Sequence, residues 1–233
     1  MRTKLELELA AFQDIWHGGY FEGDPLNPLA QSNYHELGYM SVLHATYLRC
    51  IKPYVNATTV ALEIGPGRGA WTRALLPAKE VYALDALPES HNRFYEYLDH
   101  PQHVKYFQVQ DFRCTELPDD HFTYMFSFGC LCHVSFEGIS QYALNTYAKL
   151  KHGSDCFWMI ADYDKYNLAV THLTKRQYKQ LDPDESQEPA ASGRWYHAGT
   201  ARTCAMLQQA GYRIVDPDVG TILRDPVIHF RKD

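Results

Sequence analysis

Glu63, Asp85, the corner Gln110-Asp111-Phe112 and His133 are residues whose types and spacing can do chemistry together. Glu63 lies in the apolar run Val60-Ala61-Leu62-Glu63-Ile64, just before the loop Gly65-Pro66-Gly67-Arg68-Gly69. A loop without Cβ atoms lets backbone approach a ligand closely, and the helix-compatible residues 70–76 that follow add N–H groups at their start. That suits a nucleotide-like cofactor. A carboxylate such as Glu63 cannot serve a pyrophosphate, but it can anchor a cationic amine or a hydroxyl. Asp85 ends a second apolar run, 22 positions after Glu63, the separation of one strand–helix–strand unit. An acid there accepts hydrogen bonds from ribose hydroxyls. Gln110 or Asp111 offers a partner for an adenine amino group, and Phe112 a ring to pack on the base. His133 follows a fourth apolar run, at the end of a strand where ligands sit in open α/β sheets. A neutral imidazole near pH 7 suits a general base for an acceptor hydroxyl.

The elements that must position these residues are legible as alternating strands and helices. Strands are expected at 60–64, 81–85, 104–112, 122–129 and 155–161, and two more at 212–216 and 226–230. The run 122–129 is apolar on both faces, as a central parallel strand should be. A helix is expected over 137–151, stopped by His152-Gly153, and another over 201–210, with Thr200 as N-cap and Gly211 just past its end. Residues 1–16 have helical character, and residues 36–54 place Leu37, Met40, Leu43, Tyr47, Leu48 and Ile51 at helical spacing. His44 falls on that stripe and reads as a satisfied core histidine.

Two further segments carry candidate acceptor contacts. Between the N-terminal helical stretches lies a glycine-jointed aromatic loop containing Tyr20, better suited to a lid than to a core. Residues 1–54 are therefore read as a helical cap, and 55–233 as the cofactor-binding domain. After the fifth strand come Asp162 and Tyr163, then an irregular insertion over about 164–199 with an acidic, proline-broken centre. It closes with Arg194-Trp195-Tyr196-His197, a cation, two aromatics and a histidine side by side. Arg194 suits an anionic group, and Trp195 and Tyr196 suit stacking on a sugar or aromatic ring. A loop anchored by its aromatics is the plainer reading of the same residues.

Composition narrows the class. The 233 residues are 45% hydrophobic with a formal net charge of -6, which fits one globular α/β domain and lacks the basic run of a nucleic-acid binder. No apolar stretch is long enough to span a bilayer. The six cysteines form no C-x-x-C pair, so a reduced, cytoplasmic protein is expected. Cys130-Leu131-Cys132-His133 invites a metal reading, but no second ligand pair stands at suitable spacing, and no metal is expected.

The chain resembles the class I S-adenosylmethionine-dependent methyltransferases, through Glu63-Ile-Gly65-Pro-Gly67-Arg-Gly69, Asp85 and the Gln110-Asp111-Phe112 corner. The resemblance runs from about residue 55 to the end. It implies a Rossmann-like fold: a mostly parallel seven-stranded sheet, helices on both faces, and a terminal antiparallel strand. It also implies that the glycine loop cradles the methionine part of the cofactor, Asp85 holds its ribose, and Gln110 or Asp111 meets its adenine. A sulfonium cofactor carries no phosphate, so acids around its loop are tolerable. The expected reaction moves the methyl group to a small-molecule acceptor, a hydroxyl oxygen with His133 as base, and leaves S-adenosylhomocysteine. Three alternatives stay open: methylation of a small amine, a nicotinamide-dependent oxidoreductase using the same loop, and a binding module without catalysis.

Overall fold

The computed structural model describes residues 2–15, 23–29, 40–174, 196–222 and 225–233. Tyr20, Arg194 and Trp195 lie outside the described residues.

Seven strands form one sheet: Val60–Ile64 (β1), Glu80–Asp85 (β2), Val104–Gln108 (β3), Phe122–Ser127 (β4), Leu150–Met159 (β5), Tyr212–Asp216 (β6) and Val227–Lys232 (β7). Their order is β3-β2-β1-β4-β5-β7-β6. The first five run parallel, and β7 is antiparallel to both β5 and β6. This is the mostly parallel Rossmann-like sheet that the family resemblance implied. The order reverses at β1, which pairs with β2 on one side and β4 on the other. A crevice at the carboxyl ends of the strands follows from such a reversal.

Alternation along the central strands supplies two cores. Leu62, Ile64, Leu84, Met125 and Trp158 face a layer that includes α1 (Lys4–Ile15), α6 (Phe136–Tyr147) and α8 (Thr200–Gln209). Ala61, Val81, Tyr124, Phe126 and Phe157 face α3 (Thr72–Leu75), α5 (Phe94–Leu98) and the π-turn Tyr47–Ile51. That π-turn continues α2 (Val42–Thr46), so the helical reading of this region holds for its second half, and it stops before Pro53. His44 donates from Nδ1 to the carbonyl of Pro25 at 2.9 Å, a structural bond. A short α4 (Glu89–Asn92) precedes α5, and α7 (Tyr163–Thr174) follows β5 directly. Among the described residues no helix is long and apolar enough to cross a membrane.

Three expectations about elements are corrected. The third strand stops at Gln108 and not at 112, because Asp111 turns the chain by accepting the Arg113 amide at 2.8 Å. The helix expected to reach residue 151 ends at Tyr147, since fully buried Leu150 is drawn into the sheet opposite Phe122. His152-Gly153 is thus no helix stop; Gly153, at φ +81°, lies where the β4–β5 register shifts, the position of a bulge. Finally, the segment after β5 is helical over Tyr163–Thr174, where an irregular insertion was expected.

Candidate cofactor cleft and active site

The glycine loop is fastened to the ends of β1 and β2. Gly65 donates its amide to the carbonyl of Leu84 at 2.8 Å and has φ +73°, a conformation open to glycine. Asp85, at the end of β2, accepts the amide of Gly67 on Oδ2 at 3.1 Å and that of Leu87 on Oδ1 at 2.9 Å. Burial lifts its carboxyl to about 6, against the pull of those two amides. Beneath the loop, Glu63 is 2% exposed and accepts the Thr72 hydroxyl at 2.6 Å. Burial pushes its carboxyl to about 8, opposed by the Thr72 hydroxyl and assisted by the negative charge of Asp85. Among the described residues no cation forms an ion pair with either acid. Two enclosed carboxylates lacking a counter-ion, beside backbone that has no room for a side chain, match a ligand bearing cations and hydroxyls.

An open cleft lies over this loop, with Gly65, Gly67 and Asp85 in its lining. Leu9 and Phe12 of α1 form one wall, and Cys130, His133 and Tyr142 another. The chemistry-bearing groups in this lining are few, and most of its residues are apolar.

His133 is brought to the cleft by the turn Leu131–His133 after β4, whose last amide bonds the carbonyl of Cys130 at 2.9 Å. Tyr196 donates its amide to the carbonyl of Cys132 at 2.9 Å, which lays residues 196 and 197 alongside the His133 turn. His197 accepts the Tyr163 amide on Nδ1 at 3.0 Å, and the two rings lie 5.1 Å apart. His133, Tyr163, Tyr196 and His197 therefore gather at one edge of the sheet. Asp162 also lies there, but its carboxylate is engaged. Oδ1 accepts the amides of Asp164 and Lys165 at the start of α7, and Oδ2 accepts the amide and hydroxyl of Thr200 at the start of α8. Burial raises its carboxyl, yet these bonds outweigh burial and hold it below the usual carboxylate range. Asp162, and not the Thr200 hydroxyl, caps α8.

The corner after β3 is divided. Gln110 and Asp111 line a separate polar groove against Glu6 and Gln13 of α1, and the Asp111 carboxylate pairs with Arg113 at 3.2 Å. Phe112 is buried and meets Tyr142 edge-on at 4.8 Å, behind the cleft wall. Cys130 lines the cleft while Cys132 is buried in the opposite layer, and among the described residues no group of three metal-ligating side chains converges.

Several site residues escaped the sequence reading. Thr72, Asn92, Tyr142, Leu9 and Phe12 line the cleft or hold one of its acids, and Cys130, weighed in the sequence only as a metal ligand, lines it as well. Thr72 had a faint signal, a hydroxyl one turn beyond the glycine loop. Asn92 had none; its Nδ2 donates to the Tyr106 hydroxyl at 2.9 Å, which in turn donates to the Leu87 carbonyl at 2.6 Å, bracing the loop after Asp85.

Residues 61–153, which hold the glycine loop, Asp85 and His133, match the family model of a methyltransferase domain. In three dimensions the chain is similar to the N-methyltransferase NodS from Bradyrhizobium japonicum WM9 in complex with S-adenosyl-L-homocysteine, with a TM-score of 0.61 at 13% identity, covering 97% of this chain and 98% of that one. It is also similar to an S-adenosylmethionine dependent methyltransferase from Mesorhizobium loti, with a TM-score of 0.59 at 15% identity over 82% of this chain and 98% of that one. A third similar structure, a SAM-dependent methyltransferase from Methanosarcina mazei, has a TM-score of 0.53 at 17% identity over 78% and 96%. No curated protein matches the chain in sequence.

Proposed function

We propose that this chain is a class I S-adenosylmethionine-dependent methyltransferase, a reading supported by the methyltransferase-domain match and the shared fold, and that its acceptor is a small molecule methylated on a hydroxyl oxygen, with His133 as general base. The observation that carries this reading is the placement of His133 in the wall of the cofactor cleft, on the turn after β4. S-adenosylmethionine supplies a methyl group already activated by a positive sulfur, and S-adenosylhomocysteine remains after transfer. The chain then has to align the acceptor and exclude water. Glu63 and Asp85 would meet the cofactor's ammonium side and its ribose, and the backbone at Gly65 and Gly67 would admit its methionine part. Gln110 and Asp111 would bound the adenine side. Phe112 would act there through Tyr142, the ring it supports. His133 would take the acceptor proton at an imidazole nitrogen.

Tyr163, Tyr196 and His197 would form the near wall of the acceptor pocket, braced by Asp162. Tyr20, Arg194 and Trp195 complete the set by sequence position. In this reading residues 1–54 act as a cap and 164–199 as the specificity segment, and the protein works in the cytoplasm. A nicotinamide cofactor is disfavoured by Glu63, a carboxylate beneath the loop that cannot serve a pyrophosphate.

The test is transfer of labelled methyl from S-adenosylmethionine to a panel of phenols, alcohols, sugars, amines and carboxylates. Methylated alcohols or phenols, with turnover lowered about 10²–10⁴-fold in His133→Ala, would support the oxygen reading. Wild-type turnover in that variant would remove His133 as base. An amine acceptor is the second reading, favoured by the likeness over 97% of the chain to a structure titled an N-methyltransferase. An amine nucleophile needs less help from a base, so amine methylation that survives His133→Ala would select it.

A further inference from the structure

We propose that Glu8 is a positioning residue: its carboxylate latches α1 across the cofactor cleft by holding both the amide and the hydroxyl of Ser135. The proposal rests on the reading of the N-terminal segment as a cap. The bonds are Ser135 N–H to Oε1 at 2.5 Å and Ser135 O–H to Oε2 at 2.7 Å.

The sequence of α1 makes Glu8 anomalous. Leu5, Leu9 and Phe12 recur at helical spacing and pack on the core, while Leu7 points outward and is half exposed. Position 8 belongs to the inner face and is 4% exposed, so an apolar residue would be expected there. A carboxylate stands there instead, with no ion-paired cation among the described residues. Its compensation comes mainly from the two Ser135 bonds and from the start of α6, a helix of 12 residues with its positive end toward the carboxylate, with a smaller contribution from the positive charge of Lys4. A buried charge held this way stabilises less than a well-packed apolar side chain, but its bonds are directional. They set the rotation and slide of α1, and so aim its neighbours Leu9 and Phe12 at the cleft wall.

The other end of the latch matters as much. Ser135 is the N-cap of α6, accepting the Gly138 amide on Oγ at 3.2 Å, and it follows His133 and Val134, both in the cleft lining. One carboxylate thus ties the cap helix to the turn that carries the candidate base. When α1 lifts, the carboxylate regains its hydration, which keeps the closed and open states near in free energy and makes the latch reversible.

The test uses S-adenosylhomocysteine as probe, with its release followed by stopped-flow fluorescence. Glu8→Leu fills the apolar stripe but leaves the Ser135 amide and hydroxyl without their acceptor, so it should melt near wild type, the packing gain offsetting the orphaned donors, and release the probe about tenfold faster, the loss of one charge-assisted bond pair. Glu8→Gln keeps an acceptor for the Ser135 amide and should stay within about threefold of wild type. Ser135→Ala should add little on top of Glu8→Leu, as expected for partners in one contact. Release from Glu8→Leu at the wild-type rate or slower overturns the latch, as does an equal effect from Gln and Leu. A wild-type chain that binds no S-adenosylhomocysteine would instead strike the cofactor reading itself.

Discussion

A β-carbon added to Gly65 would lie 2.2 Å from both Cβ and Sγ of Cys130, so the glycine loop and the turn after β4 interlock at a point where no side chain fits. The backbone there also has φ +73°. Gly65→Ala should therefore destabilise the fold by about 1–3 kcal/mol and abolish detectable S-adenosylmethionine binding. Thermal melting and calorimetry check the two effects separately. Cys130→Gly in the same chain should restore part of the stability, because it removes the atoms in the way while leaving the backbone strain.

Asp85 accepts two loop amides and faces the cleft. Asp85→Ala should loosen the loop and weaken S-adenosylhomocysteine binding by about 10–100-fold, the loss of charge-assisted hydrogen bonds. Calorimetry with NADH as control would show whether the loss is specific. Unchanged affinity would take Asp85 out of the cofactor site.

The two buried acids make stability depend on pH in a defined direction. Glu63 is raised from an ordinary 4.5 to about 8, so the folded chain holds its proton more tightly than the unfolded chain. The associated stability is fully present below about pH 4.5 and is lost as pH rises through about 8. Asp85 acts in the same sense over a lower window, from 3.8 to about 6. Without cofactor, the melting temperature should fall between about pH 4 and pH 8 and level off above that, and Glu63→Gln should flatten the upper part of the fall. Bound cofactor carries cations that favour the ionised acids, so its stabilising effect should grow over the same range. Melts of both chains, with and without S-adenosylmethionine, test this; parallel curves for Glu63→Gln and wild type would contradict it.

Asp162 joins two helix starts through four accepted bonds. Asp162→Ala should cost about 2 kcal/mol, one cap's worth at each helix. Asp162→Asn should recover about half, since it retains a carbonyl for one helix but loses the charge. Denaturant unfolding measures both. If Asp162 served only an acceptor, stability would not change.

The legible parts of the site were those set by local chain geometry. Glu63, the glycine loop and Asp85 occupy successive strand ends, and a run of apolar residues ending in an acid and a glycine declares its own strand-to-ligand edge. His133 was expected at the same edge because it follows a central strand, and it lies in the cleft lining, six residues past the end of β4. The corner after β3 was less well placed. Its three residues were read as one recognition unit, but the turn at Asp111 sends Phe112 into the core and leaves Gln110 on the other side. Asp162 was noticed for its position, whereas its capping bonds depend on Thr200, 38 residues away.

By itself, the sequence determined the sheet and the cofactor floor, because alternation of apolar residues and glycine in a loop act within a few residues of each other. Tertiary structure alone decided what closes over that floor. The pairing of Glu8 with Ser135 spans 127 positions, and the contact of Tyr196 with Cys132 joins segments about half as far apart in the chain. Nothing in the local pattern marks such partners. Each arises only when packing of the two hydrophobic layers brings separate elements to one edge, where a buried donor or acceptor must find whatever partner lies there.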